Sequence, residues 1–303
     1  MIGRLHIYFK EMYPIPARLL AGFALFFEIY FLVIFTNRYE ASDMFSIGVP
    51  EIVGSVTIFG FLLLLRIADD FKDAKADLLL FPDRPLPSGR TKKRDLIVCA
   101  AVTLAVLVCL NIIFMNNPGW FAFLMIYGIL MSLWFFSRKI IQKSLPLALV
   151  THNPVQLVMN FYVITYTCIK YDIGLISFPN FLILFALYFD GLYWEIGRKI
   201  RAPKDETDYT TYSKLFGYKK CARFVLIVVF VDFLFSGMLV YELFPAAIIG
   251  NAVFFVWFTW KCIVFIRNPE RFRFGGLTEK YIYISEAYIV LVLALYLVLS
   301  LVK

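Results

Sequence analysis

The chain has 303 residues, of which 61% are hydrophobic and only 17% charged, with a mean hydropathy of +0.77. Protein surface grows more slowly than mass, but not slowly enough to hide this much apolar material from water, so soluble domains are excluded and lipid must be the solvent. The formal charge of +8 marks cytoplasmic loops in a membrane protein rather than a nucleic-acid partner.

Residues 1–16 carry charges and no small-residue cleavage site behind an apolar core, so no cleavable signal peptide is expected. Tyr8, Phe9, Lys10, Glu11 and Tyr13 suit a short interfacial helix. A spanning helix needs roughly 20 mostly apolar residues. Nine such stretches follow, at 17–35, 50–68, 96–114, 120–137, 145–166, 178–196, 222–241, 245–266 and 281–302. The expected architecture is therefore an all-α membrane protein, a nine-transmembrane-helix bundle forming one domain over 1–303. Alternate connections are basic. Twenty-six Lys and Arg fall on one side, against Arg38, Lys170 and Lys303 on the other, with Arg66 inside a span. The positive-inside rule then places the N-terminus and the basic loops in the cytoplasm and the C-terminus outside.

The five cysteines show no metal spacing. Cys168 lies alone near the outer face, so no disulfide is expected. With only His6 and His152, a His-rich metal site is excluded, and no soluble nucleotide-binding motif is present.

The carboxylates are clustered. After the second span come Arg66, Asp69, Asp70, Lys72, Asp73, Lys75 and Asp77. On a continuous helix, at about 100° per residue, Asp70, Asp73 and Asp77 fall on one face with Asp69 a step aside. Four acids so close repel one another unless solvated or neutralised by a cation. Mg²⁺ commonly bridges carboxylates to substrate phosphates. A plain solvated turn salted by Lys72 and Lys75 is the alternative. The next loop, Arg84-Pro85-Leu86-Pro87-Ser88-Gly89, is stiffened by its prolines and places a guanidinium behind the acids. There it can clamp a phosphate oxygen.

These residues resemble the first signature of the UbiA superfamily of intramembrane prenyltransferases, N-D-x-x-D-x-x-x-D followed by R-P-L-P-S-G. Asp70, Asp73, Asp77 and the whole second part match, and Asp69 replaces the usual Asn. Thr151-His152-Asn153-Pro154-Val155-Gln156 resembles a shorter family segment, T-H-x-P-Q. The resemblance implies that Mg²⁺ held by Asp69, Asp70, Asp73 and Asp77 binds an isoprenoid diphosphate. Diphosphate departs to leave an allylic carbocation, which alkylates a hydrophobic or aromatic acceptor in the membrane. Preplaced cations suit the charge that develops on the leaving group, and an apolar tunnel protects the carbocation from water.

The second signature departs from the family pattern. Asp190 and Tyr193 match an early D-x-x-Y, but the following acid pair would fall on Gly197 and Arg201. Asp205, Glu206 or Asp208 could replace it if the segment carries an insertion. Asp190 and Glu195 stand about 140° apart around a helix, and Glu195 can pair with Arg198 or Lys199. Asp190 is expected as a metal ligand and catalytic group beside Asp70 and Asp73, with Glu195, Asp205 and Asp208 as further ligands. Arg84, Tyr193, Arg198, Lys199 and Arg201 are expected to bind substrate. Arg198 or Arg201 is expected on the diphosphate where the family uses a second metal; otherwise these bases only follow the positive-inside rule. Within the spans, Glu28, Asp232, His152, Asn153 and Asn160 either line the acceptor cavity or join helices.

The leading function is Mg²⁺-dependent prenyl transfer. A terpene cyclase of the same fold is the first alternative. A CDP-alcohol type transferase lacks the residues that should follow Asp190-Gly191, and a transporter would give the Arg84 loop no phosphate to hold.

Overall fold

The computed structural model describes residues 1–37 and 45–302. Arg38 and Lys303, two of the three bases assigned to the outer side, lie outside the described residues. In chain order the α-helices are α1 (Ile2–Glu11), α2 (Ile15–Thr36), α3 (Val49–Lys72), α4 (Ala74–Leu80), α5 (Lys93–Phe114), α6 (Pro118–Ser132), α7 (Arg138–Ile141), α8 (Leu145–His152), α9 (Val155–Tyr171), α10 (Phe178–Gly197), α11 (Tyr212–Phe216), α12 (Tyr218–Leu243), α13 (Ala247–Arg267) and α14 (Phe274–Val302).

Proline sets many of the starts. Pro16, Pro50, Pro118, Pro146 and Pro179 each stand in the first turn of their helix, where the missing N–H has no intrahelical acceptor to lose. Ser144 and Ser177 cap α8 and α10 through their hydroxyls.

Among the described residues, seven runs are long and apolar enough to cross a membrane: α2, α3, α5, the α8–α9 run, α12, α13 and α14. The other two stretches expected to span are also helical, but differ from these. The helix expected to 137 stops at Ser132, giving α6 15 residues. It stops because Trp134, Phe135 and Phe136 take positive φ values of 55°, 48° and 57°, a left-handed turn that no right-handed helix can continue. The 20-residue α10 falls outside the apolar set and carries Asp190 and Glu195 in its C-terminal half. The stretch expected at 145–166 is two helices, divided at Asn153 and Pro154, since proline cannot donate to the helical ladder.

Helix α2 packs on α3, α9 and α10, and α10 packs in turn on α12 and α14. The core between them holds Phe26, Ile29, Tyr30, Val163, Leu182 and Ile183. Polar side chains join the spans where lipid offers no alternative partner. Asn111 of α5 donates to Thr57 of α3 at 2.8 Å and accepts from Tyr162 of α9 at 2.7 Å. Asn160 accepts from Gln156 within α9 and reaches the Leu184 carbonyl of α10, so it serves as a helix joint.

The expected interfacial helix is present as α1, but docked into the protein. Tyr8 is fully buried, and Arg4 grips Asp95 at 2.5 and 2.9 Å. Arg90 pairs with Glu11 through two nitrogens.

Helices α2 and α3 meet at Gly54. A Cβ added there would lie 2.1 Å from the Phe26 ring, which is wholly buried. We therefore expect Gly54→Ala to cost about 1–3 kcal/mol through overpacking, read as a lower thermal midpoint in detergent. An unchanged midpoint would show that this interface is looser than described.

Candidate active site

The first acidic segment straddles a helix break. Helix α3 ends at Lys72, Asp73 is its C-terminal cap, and α4 begins at Ala74. The expected single face of Asp70, Asp73 and Asp77 is thereby corrected: the four acids divide into two pairs. Asp70 is buried and accepts from Tyr8 Oη and Arg66, each at 2.5 Å. Asp77 is buried and accepts twice from Arg84 Nη1 at 2.9 Å. Asp69 and Asp73 instead line a cavity of about 420 Å³. Asp69 is paired with Lys72 at 3.5 Å, while the Asp73 carboxylate makes no hydrogen bond or ion pair among the described residues. The Asp73 carboxyl is pushed above the ordinary carboxylate value, first by loss of water around it and then by the charges of Asp69 and Asp77.

The Arg84 loop folds back on itself. Ser88 and Gly89 donate to the carbonyls of Arg84 and Leu86, and Gly89 takes the positive φ of 75° that closes the turn. Arg84 lies over the Phe81 ring at 3.9 Å as it holds Asp77. In this arrangement it buttresses the acids and is not among the residues lining the cavity.

The second segment supplies the opposite wall. Glu195, Arg198 and Lys199 line the same cavity as Asp69 and Asp73, so the two segments share one site. Glu195 makes the pairings expected of it, with Arg198 at 2.6 Å and Lys199 at 2.9 Å. Arg198 also lies over the Trp194 ring. It faces a neighbouring cleft of about 550 Å³ as well, with Arg201, Asp205 and Arg273. Arg201 therefore lies in the adjoining cleft, where it donates to Thr207 at 2.8 Å.

Asp190 and Tyr193 are not on the cavity wall. Both are buried in the bundle, with Tyr193 donating to Asp190 at 2.6 Å and its ring tilted against that of Tyr281. Asp190 is within charge–charge range of Glu286, and also of Asp232 and Glu28. Asp232 and Glu28 are buried inside the bundle rather than on the cavity, and both Asp232 oxygens lack a hydrogen-bond partner among the described residues.

The missing acid pair has a packing reason. A Cβ on Gly197 would lie 2.4 Å from Thr278 of α14, so no side chain fits where the first acid of the pair is expected. Glu206 is occupied by the Thr211 and Ser213 hydroxyls, Asp205 sits in the adjoining cleft, and Asp208 is exposed. No group of three His, Cys, Asp or Glu is arranged to hold a metal ion among the described residues.

The same fold occurs in a digeranylgeranylglyceryl phosphate synthase, a membrane biosynthetic protein. The TM-score is 0.63 at 16% identity, over 99% of this chain and 100% of that one. The chain has the fold of that synthase. No protein-family model and no curated protein matches the sequence.

Some of the cavity was not foreseen. Trp134, Tyr209 and Tyr212 line it, and Tyr8 reaches Asp70 from the far end of the sequence. Trp134 reads as one more aromatic in an apolar run, and nothing in that run signals a left-handed turn.

The two pairs of acids should respond oppositely to neutralisation. The Asp73 carboxylate has no side-chain partner among the described residues, so neutralising it breaks no contact and removes repulsion from Asp69 and Asp77. Asp73→Asn is expected to leave the metal-free thermal midpoint unchanged or higher. Asp70→Asn, which breaks the pairing with Arg66 and Tyr8, is expected to cost about 3 kcal/mol. Equal losses in the two variants would refute the division.

Proposed function

We propose that the protein is a UbiA-superfamily enzyme that transfers a prenyl group from an isoprenoid diphosphate to an acceptor within the membrane. The observation that carries the reading is the meeting of Asp69 and Asp73 with Glu195, Arg198 and Lys199 around one cavity. The shared fold with a membrane synthase supports it, as does the match of the first signature.

Two carboxylates without a third ligand suit Mg²⁺, which usually takes one or two carboxylates and completes its shell with waters and substrate phosphates. Asp69 and Asp73 are the residues that would hold it. When bound, Mg²⁺ neutralises charge on the diphosphate oxygens. Arg198 and Lys199 add positive charge on the opposite wall, partly balanced by Glu195. The Arg198 Nη atoms make no hydrogen bond among the described residues, so a paired donor set is open to phosphate oxygens. Asp70, Asp77, Arg66 and Arg84 hold the ends of α3 and α4 in place around this site. Asp190 and Tyr193 brace α10 from within.

Two apolar grooves adjoin the cavity and suit isoprenoid tails. Leu65 continues into one of about 290 Å³ between α3, α5 and α6. Leu149 and Tyr212 continue into another of about 470 Å³ toward Phe216 and Phe224. The basic loops around the cavity support a cytoplasmic-facing site by the positive-inside rule.

Purified protein in detergent, given geranyl, farnesyl or geranylgeranyl diphosphate, is expected to release diphosphate with Mg²⁺. EDTA should abolish release and added Mg²⁺ should restore it. Release from none of the three donors would sink the proposal, and a cyclised hydrocarbon formed without acceptor would replace it with the cyclase. Arg198→Lys, which loses the paired donors but keeps the charge, is expected to raise KM for the donor about tenfold. Arg201→Lys, in the adjoining cleft, should change it far less; the reverse order would assign the diphosphate to that cleft.

A further inference from the structure

The cavity that holds Asp69 and Asp73 also holds a cation of its own. Lys72 lines it beside them, with its ammonium 3.5 Å from Asp69. In the sequence, Lys72 and Lys75 look alike, two bases salting an acidic turn. The structure separates them. Lys75 is exposed, whereas the Lys72 side chain is only 7% exposed, against 48% for Asp69. A lysine normally carries its strongly hydrated ammonium out to water. Here the base is the more buried member of the pair.

That burial is only partly compensated. An ammonium has three donors, and a charge-assisted hydrogen bond to a carboxylate is about 2.7–2.9 Å long. One contact at 3.5 Å therefore leaves donor capacity unused. The Trp134 ring lies 5.3 Å from Nζ and adds cation–π attraction. Trp134 belongs to the left-handed turn, a conformation held by its surroundings, and its ring forms the bed on which the ammonium rests.

The charges around the cavity balance without a metal. Asp69, Asp73 and Glu195 share its walls with Lys72, Arg198 and Lys199, three acids and three bases. A dication entering alone would upset that balance and meet Lys72 beside Asp69. One entering with a diphosphate would not, because the diphosphate offers the displaced ammonium an anion. Asp69 stands where the family pattern has Asn, and the acid added by that exchange is the one that Lys72 holds. The lysine backbone has no need to move. Its carbonyl accepts from Arg138 at 3.3 Å, and the flexible four-carbon stem can swing alone.

We propose that Lys72 is a stand-in cation. It holds Asp69 while the cavity is empty, competes there with a divalent metal, and turns to the diphosphate when donor and metal enter together. The identity of the anion rests on the prenyl-transfer reading above; the competition with the metal does not.

The test is binding, without turnover. Mn²⁺ is titrated into the purified full chain in detergent, with the free ion followed by electron paramagnetic resonance. Farnesyl thiolodiphosphate, a donor whose sulfur link resists ionisation, is then titrated at saturating Mn²⁺. Lys72→Met keeps the apolar stem and removes the charge. It is expected to bind Mn²⁺ about fivefold more tightly than wild type, since a like charge beside the ion is gone. It should bind the thiolodiphosphate about fivefold more weakly, since a charged donor is lost. Lys72→Arg, which keeps a cation, should return both constants toward wild type. A merely structural lysine would not give opposite shifts, because its loss would weaken both ligands. Lys72→Gln repeats the test if Lys72→Met does not fold. Unchanged or weaker Mn²⁺ binding on loss of the charge would overturn the assignment. So would unchanged binding of the thiolodiphosphate, or no Mn²⁺ binding by any of these proteins. Tighter Mn²⁺ binding with no thiolodiphosphate binding even by wild type would instead remove the prenyl-transfer reading, and leave Lys72 as the competitor of the metal at Asp69.

Discussion

A carboxylate carried from water toward hydrocarbon must find a counter-charge or a donor, and this requirement orders the whole molecule. Asp95 takes Arg4, Asp77 takes Arg84, and Asp70 takes Tyr8 and Arg66. On another part of the chain, Glu51 is fully buried against Lys170 and Tyr166. Each pairing also pins one segment to another: α1 to α5, the Arg84 loop to α4, and α3 to α9. Asp73 stands outside this pattern, its carboxylate facing a cavity with no partner among the described residues, and its neighbour Asp69 has only a long contact to Lys72. These paired acids build the frame, Asp69 and Asp73 face the cavity, and Asp232 and Glu28 stay inside the bundle.

The balance extends across the cavity. Where the family pattern places further acids, this chain has Gly197 and Arg201, with Arg198 and Lys199 between them. The first segment has an acid in place of the usual Asn. One wall is thus more negative and the other more positive than the pattern implies. Glu195 moderates the basic wall by holding Arg198 and Lys199 to one side. The packing of Gly197 on Thr278 shows that the change is built into the helix contact and extends beyond loop charge.

Much of this was legible in the sequence. Lipid demands continuous apolar runs, so helices form wherever a span was expected, and the i+3 and i+4 spacing of Glu195 to Arg198 and Lys199 gave its partners directly. Long-range choices were less legible. Four acids within one helical stretch look like one cluster; only the break at Asp73 separates them, and the partner of Asp70 lies 62 residues away in α1. Asp190 and Tyr193 fit a signature, yet their side chains satisfy each other in the bundle interior. The turn at Trp134 has no glycine to announce it, because its conformation is imposed by the surroundings rather than by local preference.

The docking of α1 has a consequence for biogenesis. Its partners, Asp70, Arg90 and Asp95, are synthesised long after it and are separated from it by α2 and α3. The contacts of Tyr8, Arg4 and Glu11 close only when that hairpin has inserted with both of its ends on the same side of the bilayer. Helix α1, made before all of these partners, is therefore one of the last elements able to settle. A chain inserted with the wrong number of crossings leaves Asp70 without its tyrosine and Asp95 without its arginine. The N-terminal segment thereby acts as a proofreading clasp that only the correct topology can fasten.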